Sequence, residues 1–434
     1  MERLVPADAL AYLALAGNAL DVHDPVVQAL RDRNFRLLFA GRAISYIGTY
    51  LAPIAVAFAV LDLGGSATEV GLSFAAWTLA QVTMLAFGGA LGDRLPRRTV
   101  MIAGDTASFV VRLAMGLLLV THHAQIWELI VLQGFGGATV AFYNPAFYGL
   151  VREIVPTDQL QQANGYLAIA RFASFPLGAA IGGTIVATVG SGTALIFDGG
   201  TYATSALLLS LVRVTSLVQP ATGFIESLRD GWSAFVEHAW VPILTVWISL
   251  YFMITYAPFF VLGPVVSDRS MNGASSWAAV VTGEGIGSLL GGLVGLRIKP
   301  RRPLVTVSVL FFFTAIQNLL LAFKPDVVLL APAALLAGLA FSLGAVVWDT
   351  AIQRSIAPDK LSRVAAYGWM GAMVFLPAGY ALAGPISAVI GLKADLIIAA
   401  GWVVVSTLFV IRLPDVREFT LDEPAESPPV PAPS

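Results

Sequence analysis

The ionisable side chains that could do chemistry in this sequence stand inside long apolar runs. Glu284 is the clearest case, because it lies between Gly283 and Gly285 and no basic residue is near it in sequence. An apolar setting favours the neutral form of a carboxyl group, so such a residue can take up and release a proton. Glu284 is therefore a candidate for proton coupling. The alternative is a neutral or hydrogen-bonded glutamic acid packed between helices.

Asp105 and Arg112 stand inside another apolar run, 99–120. They are seven residues apart, so a helix places them two turns apart on one face, where they pair directly or through neighbours. This spacing fits a structural ion pair or a role in coupling or substrate binding, and Asp105 is the second proton-coupling candidate. Arg42, one turn inside the run 37–61, either extends its side chain to the nearest polar surface or lines a cavity and attracts an anion.

The composition indicates that most of the surface faces lipid. The chain has 434 residues, of which 57% are hydrophobic and only 12% charged, whereas a soluble domain has about a quarter of its residues charged. There is no cysteine, which excludes disulfides and thiolate metal sites. The formal net charge of −2 argues against a nucleic-acid partner, which usually requires a basic face.

The sequence contains no motif for catalysis or for binding a cofactor. A nucleotide-binding loop of the form G-x-x-x-x-G-K-[ST] is absent, so an ATP-driven pump would lack its motor. No cluster of metal ligands and no nucleophile–His–acid arrangement appears. We therefore expect a protein that is not an enzyme and that needs neither cofactor nor metal.

Twelve apolar stretches are long enough to cross a bilayer, because about 20 helical residues cover the roughly 30 Å hydrocarbon core. We predict the spans at 37–61, 69–91, 99–120, 125–148, 163–189, 193–213, 241–265, 275–296, 303–323, 327–350, 364–390 and 394–412. The predicted fold class is an all-α polytopic membrane protein with twelve transmembrane helices.

The basic residues predict the orientation of these helices. Of the 25 Lys and Arg residues, nineteen fall on the side that holds both termini, three on the other side and three inside helices. Basic residues are enriched in cytoplasmic loops, so both termini are expected in the cytoplasm. The composition resembles that of a bacterial protein, and the expected location is the inner (plasma) membrane.

The two halves of the sequence resemble each other at matched positions. Gly88–Arg98 after the second span resembles Gly291–Arg302 after the eighth, and Arg152–Pro156 resembles Arg354–Pro358. Two parallel six-helix repeats follow from this match. We predict an N-terminal cytoplasmic extension at 1–34, six-helix bundles at 35–213 and 241–412, a linker with an amphipathic helix at 214–240, and a disordered cytoplasmic tail at 413–434.

With these residues the sequence resembles the major facilitator superfamily of transporters. Gly89-x-x-x-Asp93-Arg94-x-x-Arg97-Arg98 is similar to the signature of that superfamily between helices two and three, with Pro96 where the signature usually has glycine. Phe35-Arg36-Leu37-Leu38 and Trp348-Asp349-Thr350 resemble the branch that includes enterobactin exporters and macrolide efflux proteins.

The resemblance implies a gate on the cytoplasmic side. Asp93 is placed to meet the positive end of helix eleven near Arg363, a contact worth about 0.3–1 kcal/mol when exposed and about 2 when partly buried. The predicted gate residues are Gly89, Asp93, Arg94, Arg97, Arg98, Asp349, Arg354 and Arg363. The alternative is that the arginines only fix the topology.

The resemblance also implies that helices one, four, seven and ten line a central cavity, which favours Gln133 on helix four. Four aromatic residues of helix seven either form a wall for an amphipathic substrate or are packed or lipid-facing, namely Trp247, Tyr251, Tyr256 and Phe260. The cavity candidates are Arg42, Arg112, Gln133, Trp247, Tyr251 and Tyr256. Gly178 with Gly182-Gly183 in helix five resembles the antiporter signature of the family, although alanine replaces its proline.

The leading functional hypothesis is proton-driven export of a small amphipathic compound, either drug-like or a secondary metabolite. The partners would then be the substrate, protons and the lipid bilayer, and the protein is expected to be monomeric. One alternative is a facilitator or importer with the same fold. A second is a receptor or scaffold that does not transport, against which the cost of a membrane-embedded charge such as Glu284 argues.

Overall fold

A computed structural model describes residues 29–92, 95–214 and 231–420. Within these ranges the chain is helical and contains no strand. The main helices are α1 (Arg33–Asp62), α2 (Ala67–Gly92), α3 (Arg97–Val120), α4 (Ile126–Ile154), α5 (Leu160–Val189), α6 (Ser191–Ser210), α7a (Trp240–Tyr251), α7b (Ala257–Ser270), α8 (Gly273–Gly295), α9a (Pro303–Leu310), α9b (Phe313–Phe323), α10 (Val327–Ser355), α11a (Pro358–Met373), α11b (Leu376–Ile390) and α12 (Leu392–Val410). A π-helical segment, Phe252–Tyr256, joins α7a to α7b.

Helices occupy all twelve positions at which spans are predicted. In the described part of the chain, ten of these segments are long and apolar enough to cross a membrane. The other two positions are those of α2 and α6, and α6 is the more polar of the pair because Asp198 and several Gly, Ser and Thr residues interrupt it. The all-α polytopic fold is confirmed, whereas spanning by α2 and α6 stays a prediction.

Two turns with a glycine at positive φ fall at matched positions of the repeat. Gly190 between α5 and α6 has φ +96°, and Gly391 between α11b and α12 has φ +89°. This backbone region favours glycine, since a Cβ atom is strained there. The same turn therefore closes the fifth and eleventh helices, as expected for two copies of one unit.

The ends of the described chain pack against the bundle. Ala29 precedes α1 and donates its backbone N–H to Gln162 Oε1 at 3.0 Å. At the other end Pro414–Arg417 is a short helix with Val416 buried, and the Phe419 ring lies 4.9 Å from the Trp240 ring. The prediction of a disordered tail from 413 is therefore wrong for 413–420, and 421–434 lie outside the described residues.

The predicted amphipathic linker helix is only partly within the described residues. Residues 231–236 are helical, while 215–230 lie outside. Trp232 and Phe235 place their rings 5.8 and 5.9 Å from the Tyr367 ring of α11a, and Lys360 Nζ lies 2.8 Å from Glu237 Oε2. The linker helix thus docks on the start of the eleventh helix.

We name the side at which α1 begins, with Arg33, and α12 ends, near Arg412, the arginine-rich side. On the opposite side one hydrophobic core joins residues of both halves, among them Leu51 and Val70 of the first half and Phe259, Trp277 and Ala383 of the second. On the arginine-rich side each half has a separate core. The halves are therefore sealed together on the opposite side and stand apart on the arginine-rich side.

Two pairs of helices form this seal. At Gly183 of α5 an added Cβ would collide with Ala278 of α8, and at Gly71 of α2 it would collide with the Tyr380 carbonyl of α11b. Small residues allow membrane helices to approach this closely. Of the predicted glycine motif of α5, Gly183 thus lies in the contact between the two halves, whereas Gly178 and Gly182 face α1 of their own half.

Candidate functional site

Glu284 lies at the junction of three helices. On one side of it, an added Cβ at Gly283 would meet Ala331 of α10 at 2.5 Å, and on the other, one at Gly285 would meet Pro176 of α5 at 2.8 Å. Glu284 is 9% exposed, and in the described part of the chain its Oε2 atom has no hydrogen-bond partner. A buried carboxyl oxygen without a partner is costly in its charged form. The site therefore suits a group that gains and loses a proton.

Three tyrosines lie within electrostatic range of this carboxyl group. The phenol groups of Tyr251, Tyr256 and Tyr380 are close enough to interact electrostatically with Glu284. The Tyr256 ring lies 4.4 Å from the Phe260 ring on α7b. The Tyr380 ring of α11b lies 5.4 Å from Phe74 of α2, so this contact crosses between the halves.

The first half supplies further rings to the same place. Tyr50 of α1 lies 4.9 Å from the Phe175 ring of α5, and Tyr50 is an electrostatic neighbour of Tyr256 in the second half. We define the aromatic junction as Tyr46, Tyr50, Phe74, Phe175, Tyr256, Phe260 and Tyr380. Four of its rings, those of Phe74, Phe175, Phe260 and Tyr380, pack against the core that joins the halves. The rings offer an apolar surface with phenol groups for an amphipathic molecule.

The aromatic wall predicted on helix seven contains two members of this junction, Tyr256 and Phe260. Trp247 and Tyr251 belong instead to the core of the second half: Trp247 Nε1 donates to Ser406 Oγ at 3.0 Å, and the Tyr251 ring lies 4.5 Å from Phe311. Both are almost fully buried. The structure therefore does not place them on a cavity wall.

Arg112 pairs with Asp198 rather than with Asp105. Arg112 Nε lies 2.9 Å from Asp198 Oδ2, and Arg112 Nη1 donates to Gln133 Oε1 at 2.5 Å. The expected direct pair within α3 is therefore wrong, because the partner comes from α6. Arg112 and Gln133 are 5% and 4% exposed, so both cavity candidates lie inside the first half. Asp198 lies within α6 and is fully buried.

Asp105 has its own partner inside the first half. Its Oδ2 atom accepts a hydrogen bond from Ser205 Oγ of α6 at 2.6 Å. The charged side chain that acts on Asp105 is Arg42 of α1. Asp105 is 1% exposed, and both of these partners belong to the same six-helix unit.

Arg42 is held by aromatic rings. Its guanidinium carbon lies 4.2 Å from the Tyr46 ring centre, 4.6 Å from Tyr143 and 4.9 Å from Phe147. Cations are attracted to the faces of such rings. Arg42 was predicted either to extend to the polar surface or to line a cavity. Its contacts favour the cavity position, because Tyr46 is part of the aromatic junction.

The structure describes six of the eight predicted gate residues. Asp93 and Arg94 lie outside the described residues, and Gly89 lies within α2. Arg97 Nη1 is 3.0 Å from Glu153 Oε1 of α4. Arg98 donates through Nε to the Leu209 carbonyl of α6 at 3.0 Å and also to the Ser210 carbonyl. Arg97 and Arg98 therefore tie α3 to its own half.

On the second half, the predicted gate residues Asp349 and Arg354 form no ion pair with each other. The positive charge that acts on Asp349 of α10 is Arg171 of α5, and both side chains are exposed. Arg363 of α11a lies beside the linker helix, with its Cβ atom near Gly231. Arg171 and Asp349 thus face each other across the space between the halves.

These features define a multi-pass membrane protein of two helical units around a central aromatic site. The Major Facilitator Superfamily profile matches residues 38–381, and the chain belongs to this superfamily of transporters. Among curated relatives, "Multidrug efflux pump Tap" of Mycobacterium tuberculosis is 25% identical over 414 residues, covering 91% of this chain and 97% of the relative. "Macrolide efflux protein A" of Streptococcus pyogenes is 21% identical over 399 residues, covering 89% and 97%.

Solved structures share the fold. The nucleoside transporter NupG superposes with a TM-score of 0.70 at 13% identity, covering 88% of this chain and 99% of that one. A bacterial homolog of the human lysosomal transporter Spinster, in an inward-facing and unoccupied conformation, superposes with a TM-score of 0.70 at 13% identity, covering 89% and 97%. At this identity the likeness shows the fold alone.

Proposed function

We propose that this transporter exports a small amphipathic compound, drug-like or a secondary metabolite, in exchange for protons. The single observation that carries the proposal is the position of Glu284 at the contact of α5, α8 and α10. Its carboxyl group is buried, and its Oε2 atom has no partner among the residues that the structure describes. The export direction is supported by the two curated relatives described above, both of which are named as efflux proteins.

The positive-inside rule assigns the arginine-rich side to the cytoplasm. The space between the halves would then open to the cytoplasm, which is the state that an exporter needs for loading its substrate. An amphipathic molecule entering from that side would reach the rings of the aromatic junction before it met the seal.

Glu284 would couple the proton to the rocking of the halves. Its neighbour Gly285 contacts Pro176 of the other half, so the seal opens only if the surroundings of Glu284 change. In the outward-open state the carboxylate takes up a proton and the substrate leaves. The neutral carboxyl group is then buried as the seal closes again, and entry of the next substrate molecule from the cytoplasm displaces the proton in that direction. Each step shifts a population by the difference in affinity between the two states.

The test is accumulation of a panel of dyes and antibiotics in efflux-deficient cells, with and without a protonophore. We expect lower accumulation in cells that express the protein, and we expect the protonophore to abolish the difference. Higher accumulation would favour an importer, and a change that the protonophore leaves intact would favour a facilitator. No change for any compound, with the protein present in the membrane, would contradict multidrug export.

Glu284→Gln then tests the coupling residue, because glutamine keeps the shape but cannot carry a proton. We expect export against a gradient to be lost while substrate binding to the purified protein is kept. The matched control is Asp395→Asn, since Asp395 of α12 is also buried with an unpartnered oxygen among the described residues but lies away from the junction. Proton-driven export by Glu284→Gln at the rate of the parent would remove this residue from the mechanism.

A further inference from the structure

A basic pocket lies on the arginine-rich side, apart from the aromatic junction. It has a volume of about 530 Å³ and is lined by Arg33, Arg98, Ser210, Leu211, Val212, Arg213 and Val214. These residues come from the start of α1, the start of α3 and the chain that leaves α6. The pocket is therefore a crevice between three helices of the first half at the edge of the membrane.

Hydrogen bonds fix the walls of this pocket. Asn34 Nδ2 donates to the Arg213 carbonyl at 3.1 Å, and the Arg213 backbone N–H donates to Asn34 Oδ1 at 2.9 Å. The Arg98 guanidinium is held against the end of α6 by the Leu209 carbonyl. Val212 is buried between these contacts. The arginine side chains thus project from a backbone that is already positioned.

The charge of the pocket is uncompensated within the part of the chain that the structure describes. Arg33, Arg98 and Arg213 form no ion pair there, whereas Arg97 and Arg112 each pair with a carboxylate at 3.0 and 2.9 Å. Three positive charges around one crevice repel one another, and an anion would relieve that repulsion. Guanidinium groups match phosphate oxygens in geometry as well as charge.

We infer that this pocket binds a phosphate group, namely the headgroup of an anionic phospholipid in the adjoining leaflet. Basic pockets between helices on the cytoplasmic side suit such headgroups. The position at the membrane edge and the exposed Leu211 side chain favour a lipid, whose acyl chains would continue into the bilayer. A free phosphate ion shares the phosphate chemistry but would gain nothing from the apolar rim. The site does not depend on the transported substrate.

The experiment measures binding of phosphatidylglycerol to the purified full-length protein by native mass spectrometry, with phosphatidylcholine for comparison. Arg33→Gln/Arg213→Gln removes two of the three charges while Arg98 keeps its structural bonds. Each arginine near an anionic surface contributes about five-fold in affinity, so we expect phosphatidylglycerol binding to weaken by about 25-fold. Arg33→Lys/Arg213→Lys keeps the charge and should keep most of the affinity.

The matched control is Arg412→Gln/Arg417→Gln, which removes the same charge from the same side at the end of α12. It should leave phosphatidylglycerol binding unchanged. Equal loss in both glutamine variants, or none in Arg33→Gln/Arg213→Gln, would overturn the site. Inorganic phosphate is added in a separate arm: if it displaces phosphatidylglycerol at millimolar concentration and protects the protein equally against heat, the ligand is free phosphate and the lipid assignment is wrong.

Discussion

The substitution Gly183→Val tests the contact between α5 and α8 that seals the two halves. A Cβ atom at Gly183 would collide with the Ala278 side chain and would come within 3.2 Å of the Ala274 carbonyl oxygen. Neither neighbour is the flexible end of a long side chain, so the helices themselves must move apart. Overpacking of this kind costs about 1–3 kcal/mol. Because the contact exists only while the seal is closed, the population of the open state should rise about 5- to 150-fold.

The assay uses the fact that the protein has no cysteine. A single reporter, Ala383→Cys, lies in the core that joins the halves, where Ala383 is 2% exposed. A membrane-impermeant maleimide added outside intact cells should label this thiol slowly in the parent and faster with Gly183→Val. Gly183→Ala should have a smaller effect in the same direction, since it already introduces the Cβ atom.

The control for this prediction lies on the same helix. Gly165→Val changes the helix propensity of α5 equally, but an added Cβ at Gly165 has no atom of the described chain within 4 Å. Its labelling rate should match that of the parent. If Gly183→Val labels no faster than Gly165→Val, the two helices do not form a seal that limits access from outside, and the orientation or the conformation argued above is wrong.

Two further predictions concern ion pairs. Asp198→Asn should lower the free energy of unfolding by about 3–5 kcal/mol, because it leaves Arg112 charged and buried. Adding Arg112→Met should restore most of the thermal midpoint in detergent; no recovery would mean that the two side chains do not act as a pair. On the surface, the hydrogen bond and charge of Lys360 lower the pKa of Glu237 below its ordinary value of 4.5. The contribution of this pair to stability is therefore complete at neutral pH and is lost as the pH falls through that lowered value. Glu237→Gln should speed amide exchange in 231–240 at neutral pH, and added salt should shrink the difference from the parent; an equal rate at low salt would show that the pair does not hold the linker helix.

Sequence patterns predicted the helices well because lipid imposes a strict length and polarity. The span predicted at 163–189 lies within α5, which begins at Leu160, and that at 303–323 coincides with α9a and α9b. The repeat was readable for a related reason. Gly190 and Gly391 lie at equivalent turns with positive φ, where the backbone restricts the choice of residue.

The sequence did not predict in the same way which face of each helix points into the bundle. A helix that is apolar all round gives no signal for the face that packs inside its bundle, so Trp247 and Tyr251 could not be told from Tyr256. Tyr50 and Tyr380 were missed for this reason. The pairing of Arg112 with Asp198 was missed, although the sequence contained a signal for it. Charges inside a membrane bundle pair with one another, and Asp198 of α6 was an acid without an assigned partner.

The partners of the buried acids decide between the two candidates for proton coupling. Asp105 interacts with Ser205 and Arg42, which belong to the same half, so its surroundings move with it when the halves rock. Glu284 sits next to Gly285, and Gly285 contacts Pro176 of the opposite half. Rocking therefore changes the surroundings of Glu284 far more than those of Asp105. A proton can drive the motion only through a group whose affinity for it differs between the two states. Glu284 meets this condition and Asp105 does not, so we expect Asp105→Asn to lower stability while leaving the ratio of protons to substrate unchanged in the molecules that fold. A changed ratio, measured in proteoliposomes, would move the coupling site into the first half.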